Sequence, residues 1–215
     1  MTHRPSFFAL SALALLPLGA CGGSGDAPPA TEAASAPEAP AQVQTAAGCF
    51  LARGTMEEAG QRASPRDSTT IVLGGAEAKL CYGAPSARER VVMGELVPYG
   101  EAWRAGADEA TGLHLAFPAE VAGVRVDAGN YALYAIPGAD SWDVVVNGNP
   151  ERWGIPINDE VQAVDIGSGT VTPEATDGMV ERLTYTFQPV SDTEAHLVME
   201  WENTRIRIPV VRVGS

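Results

Sequence analysis

From Thr69 to the C-terminus the chain is built of short apolar runs that alternate in polarity and stop at glycine, proline or asparagine. Thr69–Leu73 is β-branched and is followed by Gly74-Gly75 and a second run, Ala78–Tyr82, which predicts a hairpin. Leu113, Leu115 and Phe117 alternate with His114 and Ala116, and Val124 and Val126 alternate with Arg125 and Asp127. Tyr131–Ile136 is apolar on both faces, as a central strand is. Trp142–Val146 ends at Asn147-Gly148, a tight-turn pair. Three more alternating runs follow, at Leu183–Phe187, Ala195–Trp201 and Ile206–Val210. No segment carries a long stripe at helical spacing, and the best short candidates are Ala87–Met93 and Asn158–Ala163. The pattern predicts an all-β fold with one or two short helices. It is an antiparallel β-sandwich, with a partly open barrel as the alternative. Gly167-Ser168-Gly169 has no helix after it and reads as a turn.

The N-terminus carries different information. Arg4 precedes an apolar stretch, Phe7–Leu18, that is too short to span a bilayer. Leu18-Gly19-Ala20-Cys21 then has the layout of a lipoprotein processing site: residues 1–20 are removed and Cys21 is acylated. Several acyl chains on one residue anchor stably, where a single chain is marginal. Gly22 rather than aspartate after the cysteine points to the outer membrane of a bacterium, with the chain facing the periplasm. Residues 21–48 are almost wholly Ala, Pro, Gly, Ser, Thr, Gln and acids, which predicts a disordered spacer. Residues 49–215 then form one domain with its own core.

The chain has 27 acidic against 14 basic residues and a formal charge of −13, which argues against nucleic acid as a partner. The expected partners are the membrane, through lipid on Cys21, and a small molecule or another envelope component. With Cys21 lipidated, Cys49 and Cys81 remain in an oxidising compartment. A bridge between them closes a loop of about 32 residues, worth about 3–4 kcal/mol on the chain-entropy account; the alternative is two buried thiols. His114 and His196 sit on the more polar faces of their strands, and they could share a metal with Glu200 only if those strands were neighbours. There is no nucleophile elbow, His-Glu-x-x-His, Cys-x-x-Cys or phosphate loop, so no cofactor is expected.

One segment, Tyr82–Thr111, is not strand-like and concentrates arginine, aromatic, acidic and glycine residues. Loops on a rigid β scaffold are where binding groups collect. Arg90, Tyr99, Trp103, Arg104, Asp108 and Glu109 are its candidate binding residues. An arginine beside a tryptophan can stack or hold an oxyanion through paired donors. In the competing structural arrangement Trp103 fills the core and Arg104 is neutralised by Glu101 or Glu109.

Several motifs in and around this segment resemble one family: Ser64-Pro65, Tyr82-Gly83-x-Pro85, Leu96-Val97-Pro98-Tyr99-Gly100, Trp103-Arg104-x-Gly106-Ala107-x-Glu109-Ala110-Thr111, Ala128-Gly129-x-Tyr131, Ile136-Pro137-Gly138 and Trp201-Glu202. Together they resemble domain of unknown function 2911, over about residues 64–211. The resemblance implies an exported β-rich protein, often a lipoprotein, and no particular activity. Ala84 stands where that family usually has Arg, Glu89 where it has Gly, and Asp108 where it has Asn. These changes imply a weakened anion site. The leading expectation is a lipid-anchored, non-catalytic binding domain. The alternatives are an envelope hydrolase or isomerase acting through Glu101, Asp108 or Glu109, and a purely structural lipoprotein.

Overall fold

The computed structural model describes residues 43–214. The signal segment, Cys21 and most of the 21–48 spacer lie outside the described residues. Among the described residues, ten strands and two short helices occur in the order α1 (Met56–Gly60), β1 (Arg66–Leu73), β2 (Ala76–Gly83), β3 (Thr111–Leu115), β4 (Ala119–Val121), β5 (Val124–Val126), β6 (Gly129–Ile136), β7 (Trp142–Asn147), α2 (Asp159–Gln162), β8 (Asp165–Val171), β9 (Glu174–Pro189) and β10 (Glu194–Arg212). They form two antiparallel sheets. One has six strands in the order β1-β2-β3-β6-β7-β8; the other has four, β5-β4-β10-β9. The fold is an all-β sandwich.

The alternating runs explain which faces meet. Leu80 and Tyr82 of β2, Leu113 and Leu115 of β3, and Trp142, Val144 and Val146 of β7 point to the core between the sheets. From the second sheet come Leu183 and Tyr185 of β9, with Leu197, Met199, Trp201, Ile206 and Ile208 of β10. Each pair of core residues two apart brackets one residue of opposite facing, such as Cys81 between Leu80 and Tyr82. Those outward residues of the larger sheet are not left to solvent. Cys81 is bonded to Cys49, with Cα atoms 5.7 Å apart, so the chain before β1 straps across this face. Upstream of Cys49 the strap begins at Gln44, which bridges in parallel to Ala76. On the other side of the same face, buried Asn147 donates to the Val161 carbonyl and to Asp165 at 2.6 and 2.7 Å.

Three expectations change. Ala87–Met93 is not a helix, because Arg88 and Glu89 take left-handed backbone conformations with φ of 53° and 59°. The run at Gly167-Ser168-Gly169 is part of strand β8, not a turn. Its glycines are there for approach rather than for turning: a Cβ on Gly169 would overlap the carbonyl oxygen of Ala122, between β4 and β5. Edge strand β8 thus lies close against the edge of the other sheet. Finally, the runs at 195–201 and 206–210 are one strand, β10, interrupted by a bulge between Glu200 and Thr204. Glu202 at the bulge has a φ of 54°. The helix expected at Asn158–Ala163 is present as α2, with the Asn158 side chain accepting from the Val161 N–H. Helix α1, by contrast, has a sequence signature that the strand reading passes over. Thr55 accepts from the Glu58 N–H while the Glu58 carboxylate accepts from the Thr55 N–H, a capping box.

Candidate functional site

The segment between β2 and β3 wraps one end of the sandwich and is fixed to four strands. Trp103 exchanges both backbone hydrogen bonds with Ala135 of β6, at 2.7 and 2.9 Å. The Ala105 carbonyl accepts from the Tyr185 hydroxyl of β9 and from the Thr111 hydroxyl, each at 2.9 Å. Ala107 donates to the Gly83 carbonyl at the end of β2. A Cβ on Gly83 would overlap the Ala107 carbonyl, so the approach needs glycine there. From β10, the Glu202 carboxylate accepts from the backbone N–H groups of Val92 and Met93, both at 3.2 Å. The β10 bulge therefore has a use. It turns Glu202 onto the segment while Trp201 goes into the core beneath it.

This frame holds open a cleft of about 340 Å³. Its floor is Trp103 stacked on Trp201, with ring centroids 5.9 Å apart and planes at 20°. Trp142 meets Trp103 edge-on at 6.1 Å. Leu96, Val97 and Ile155 supply apolar wall, and Arg90 and Arg104 supply charge. Neither guanidinium is neutralised by a carboxylate among the described residues. Arg90 donates through Nε to the Ala87 carbonyl and through Nη2 to the Ser86 carbonyl, each at 2.9 Å. Arg104 donates through Nε to the Gly106 carbonyl at 3.2 Å. Burial pulls the Arg104 guanidinium below its ordinary pKa, and the nearby charge of Asp108 opposes this. The side chain stays a cation. The main-chain carbonyls thus engage Nε and Nη2 of Arg90 and Nε of Arg104, and no other hydrogen bond of these guanidiniums occurs among the described residues.

The six candidates separate into two groups. Arg90, Trp103 and Arg104 line the cleft. Tyr99, Asp108 and Glu109 do not: Tyr99 is half exposed and packs beside Gly94. Glu109 is completely buried on the far side of the loop. There it accepts two bonds from Arg62, at 3.1 and 2.9 Å, and one from the Ala52 N–H at 3.2 Å. Asp108 lies 3.8 Å from the same Arg62. The competing arrangement, with Arg104 neutralised by Glu101 or Glu109, is not the one formed. The partner of Glu109 comes from the strap instead, along with Arg53 stacked 4.8 Å over Trp153. Arg66, 8 % exposed, also lies in this region and donates to the Phe50 carbonyl at 3.3 Å. Burial lowers its pKa, opposed first by the charge of Glu109.

Two of the three departures from the family pattern are conformational. Glu89 and Asp108 have φ of 59° and 62°, in the left-handed region that Gly and Asn enter most easily. Neither side chain lines the cleft, and Glu89 is exposed. Glu89 thus stands away from the cleft, while Asp108, outside the lining, still acts on Arg104 through its charge. Ala84 is 1 % exposed within the core, beside Pro85 of the cleft wall.

The histidines are apart. His114 lies on β3 in the larger sheet and His196 on β10 in the smaller, so their strands are not neighbours. Glu200 is held by Arg205 at 2.6 Å. No group of three or more metal-binding side chains occurs among the described residues. His114 is not an exposed strand histidine either. It is 4 % exposed, with Nδ1 2.8 Å from Oδ1 of Asn130. Since that oxygen only accepts, Nδ1 carries a proton, and burial holds the ring's pKa below its ordinary value.

Sequence reading missed Ile155, which reaches the cleft from the connection between β7 and α2, and it missed the Arg62–Glu109 pair. Neither has a local motif. Trp201 and Glu202 did have a signal, as the Trp-Glu pair late in the chain. No curated protein and no solved structure matches the chain. Residues 64–210 match a protein family described as "Protein of unknown function (DUF2911)", a span that takes in both sheets, the whole loop and the Trp-Glu pair. By that match, which covers more than half of its length, the chain belongs to the DUF2911 family.

Proposed function

We propose that this is a lipid-anchored envelope protein whose β domain binds a small ligand in the Arg90–Trp103–Arg104 cleft without transforming it. The observation that carries the reading is the composition of the cleft. Its lining includes two arginines and two tryptophans but no carboxylate, histidine or cysteine among the described residues. A general base or acid must come within hydrogen-bond reach of the reacting group, and Glu101, Asp108 and Glu109 are all outside the lining. This favours binding over hydrolase or isomerase chemistry. The tether rests on the Leu18–Cys21 signal, and Gly22 supports the outer membrane as its site.

Two measurements test the halves of the proposal. Cell fractionation should find the wild-type chain with membranes and Cys21→Ser in the soluble periplasmic fraction; retention of the variant in membranes refutes the anchor. For the cleft, a thermal-shift screen of small metabolites should give compounds that stabilise the wild type and not Ala102→Leu, which narrows the cleft. Hits that stabilise both proteins equally refute the cleft as the binding site.

A further inference from the structure

We infer that the cleft selects a small organic carboxylate, with the oxyanion held between Arg90 and Arg104 and a flat apolar body lying against Trp103. This deepens the binding reading above and rests on it. The chain carries a formal charge of −13, yet the cleft lining contains two guanidinium groups and no acid. A locally positive cleft in an acidic protein is not a by-product of composition, and it repels cations while it draws anions.

The way the two arginines are held gives the ligand its shape. Whereas Arg62, Arg205 and Arg207 form ion pairs, neither cleft arginine does so among the described residues. These two are oriented instead by main-chain carbonyls, those of Ser86 and Ala87 for Arg90 and that of Gly106 for Arg104. Carbonyls fix direction but leave the positive charge uncancelled. The Gly106 end is itself clamped, because the preceding Ala105 carbonyl accepts from both Tyr185 and Thr111. The donors are thus arranged before the ligand arrives, which reduces the ordering entropy lost on binding. Planar guanidinium groups match the planar two-oxygen fork of a carboxylate.

The rest of the cleft defines the remainder of the ligand. The Trp103–Trp201 stack offers a flat floor, and Leu96, Val97 and Ile155 an apolar wall. At about 340 Å³ the volume is at the small end of the range for ligand sites, roughly 300–1,000 Å³. It has room for one ring or a short branched chain.

The test uses the full exported chain and tryptophan fluorescence, since Trp103 is the contact surface. Benzoate, phenylacetate and indole-3-acetate are titrated against their neutral amides. The expected result is a saturable change with at least one carboxylate, at least tenfold weaker with its amide. Arg104→Gln and Arg90→Gln should each weaken the carboxylate about 10- to 100-fold, as expected for a lost hydrogen bond to a charged group. Both must keep the wild-type circular dichroism spectrum, and Arg104→Lys should recover part of the loss. If amides bind as tightly as acids, or both Gln variants bind acids like the wild type, the carboxylate assignment is overturned and the binding cleft stands. If neither acids nor amides change the fluorescence, while Ala102→Leu still abolishes hits from the metabolite screen, the assignment again falls alone. If that screen also yields no cleft-dependent hit, both readings fall.

Discussion

The Arg62–Glu109 pair is the interaction on which removal of a single side chain should tell most. Glu109 is fully buried, and its carboxylate accepts from Arg62 at 2.9 and 3.1 Å and from the Ala52 N–H at 3.2 Å. It is also the leading favourable charge on Arg66, whose Nε and Nη1 are buried without a partner among the described residues. Glu109→Gln preserves the shape and one acceptor but takes the negative charge from two guanidiniums. Breaking a buried pair from one side costs about 3–5 kcal/mol. Two features move the value within that range. Asp108, 3.8 Å from Arg62, is a fallback partner and reduces the loss, while the dependence of Arg66 on the same charge increases it. For a domain of this size the thermal midpoint should fall by about 10 °C. Hydrogen exchange should quicken at Ala52, whose N–H is tied to this carboxylate. The double variant Arg62→Met/Glu109→Leu should be more stable than the summed losses of Arg62→Met and Glu109→Leu predict, because neither member of the pair is left without the other, although Arg66 still loses the Glu109 charge. Circular dichroism melts of the wild type, Glu109→Gln, the two singles and the double measure this. Singles within about 1 kcal/mol of wild type, with a double equal to their sum, would refute the reasoning.

Two further outcomes follow from burial alone. Gly169→Ala places a methyl group against the Ala122 carbonyl, so it should lower stability by about 1–3 kcal/mol in urea unfolding; Gly178→Ala, with open space around it, is the control, and equal effects at both positions would sink the packing account. Burial lowers the His114 pKa, helped by Lys79 and Arg66 and opposed by Asn130 and Glu151, so below pH ~6.5 the unfolded chain binds a proton that the folded chain resists. Stability should therefore be complete above that pH and decline as the pH falls toward 5, and His114→Gln should flatten the decline; identical slopes for the two proteins argue against it.

The fold was readable because its strands sort cleanly by period. Leu113, Leu115, Leu183 and Tyr185 are all core residues, and each sits in a run that alternates on paper. Reading failed where a residue serves something distant in sequence. Gly167 and Gly169 look like turn residues, and nothing local reveals that β8 must approach Ala122. His114 looks exposed by alternation, because alternation reports which side of a sheet a residue faces and not what covers that side. The same holds for Arg62 and Glu109, separated by 47 residues. Their pairing depends on a strap laid over the outer face of the larger sheet, and periodicity carries no information about such a strap.

The loop that drew attention in the sequence is two structures joined at Ala105–Ala107. On one side Trp103 and Arg104 face the cleft; on the other Asp108 and Glu109 face the strap. The joint is the most firmly held point of the loop, through Tyr185, Thr111 and Gly83. A density of mixed charges in one loop had suggested internal neutralisation, acid against arginine. The fold forms no such ion pair: Glu109 is turned to Arg62 of the strap, and Ala105 and Asp108, with φ of 53° and 62°, are backbone turns on either side of that joint. Arg62 from the strap pairs with Glu109 at 2.9 Å and lies 3.8 Å from Asp108, while Arg104 forms no ion pair among the described residues and has only the charge of Asp108 to favour it. Arg104 is also partly withdrawn from water, so it is the side chain of the cleft with most to gain from an approaching anion.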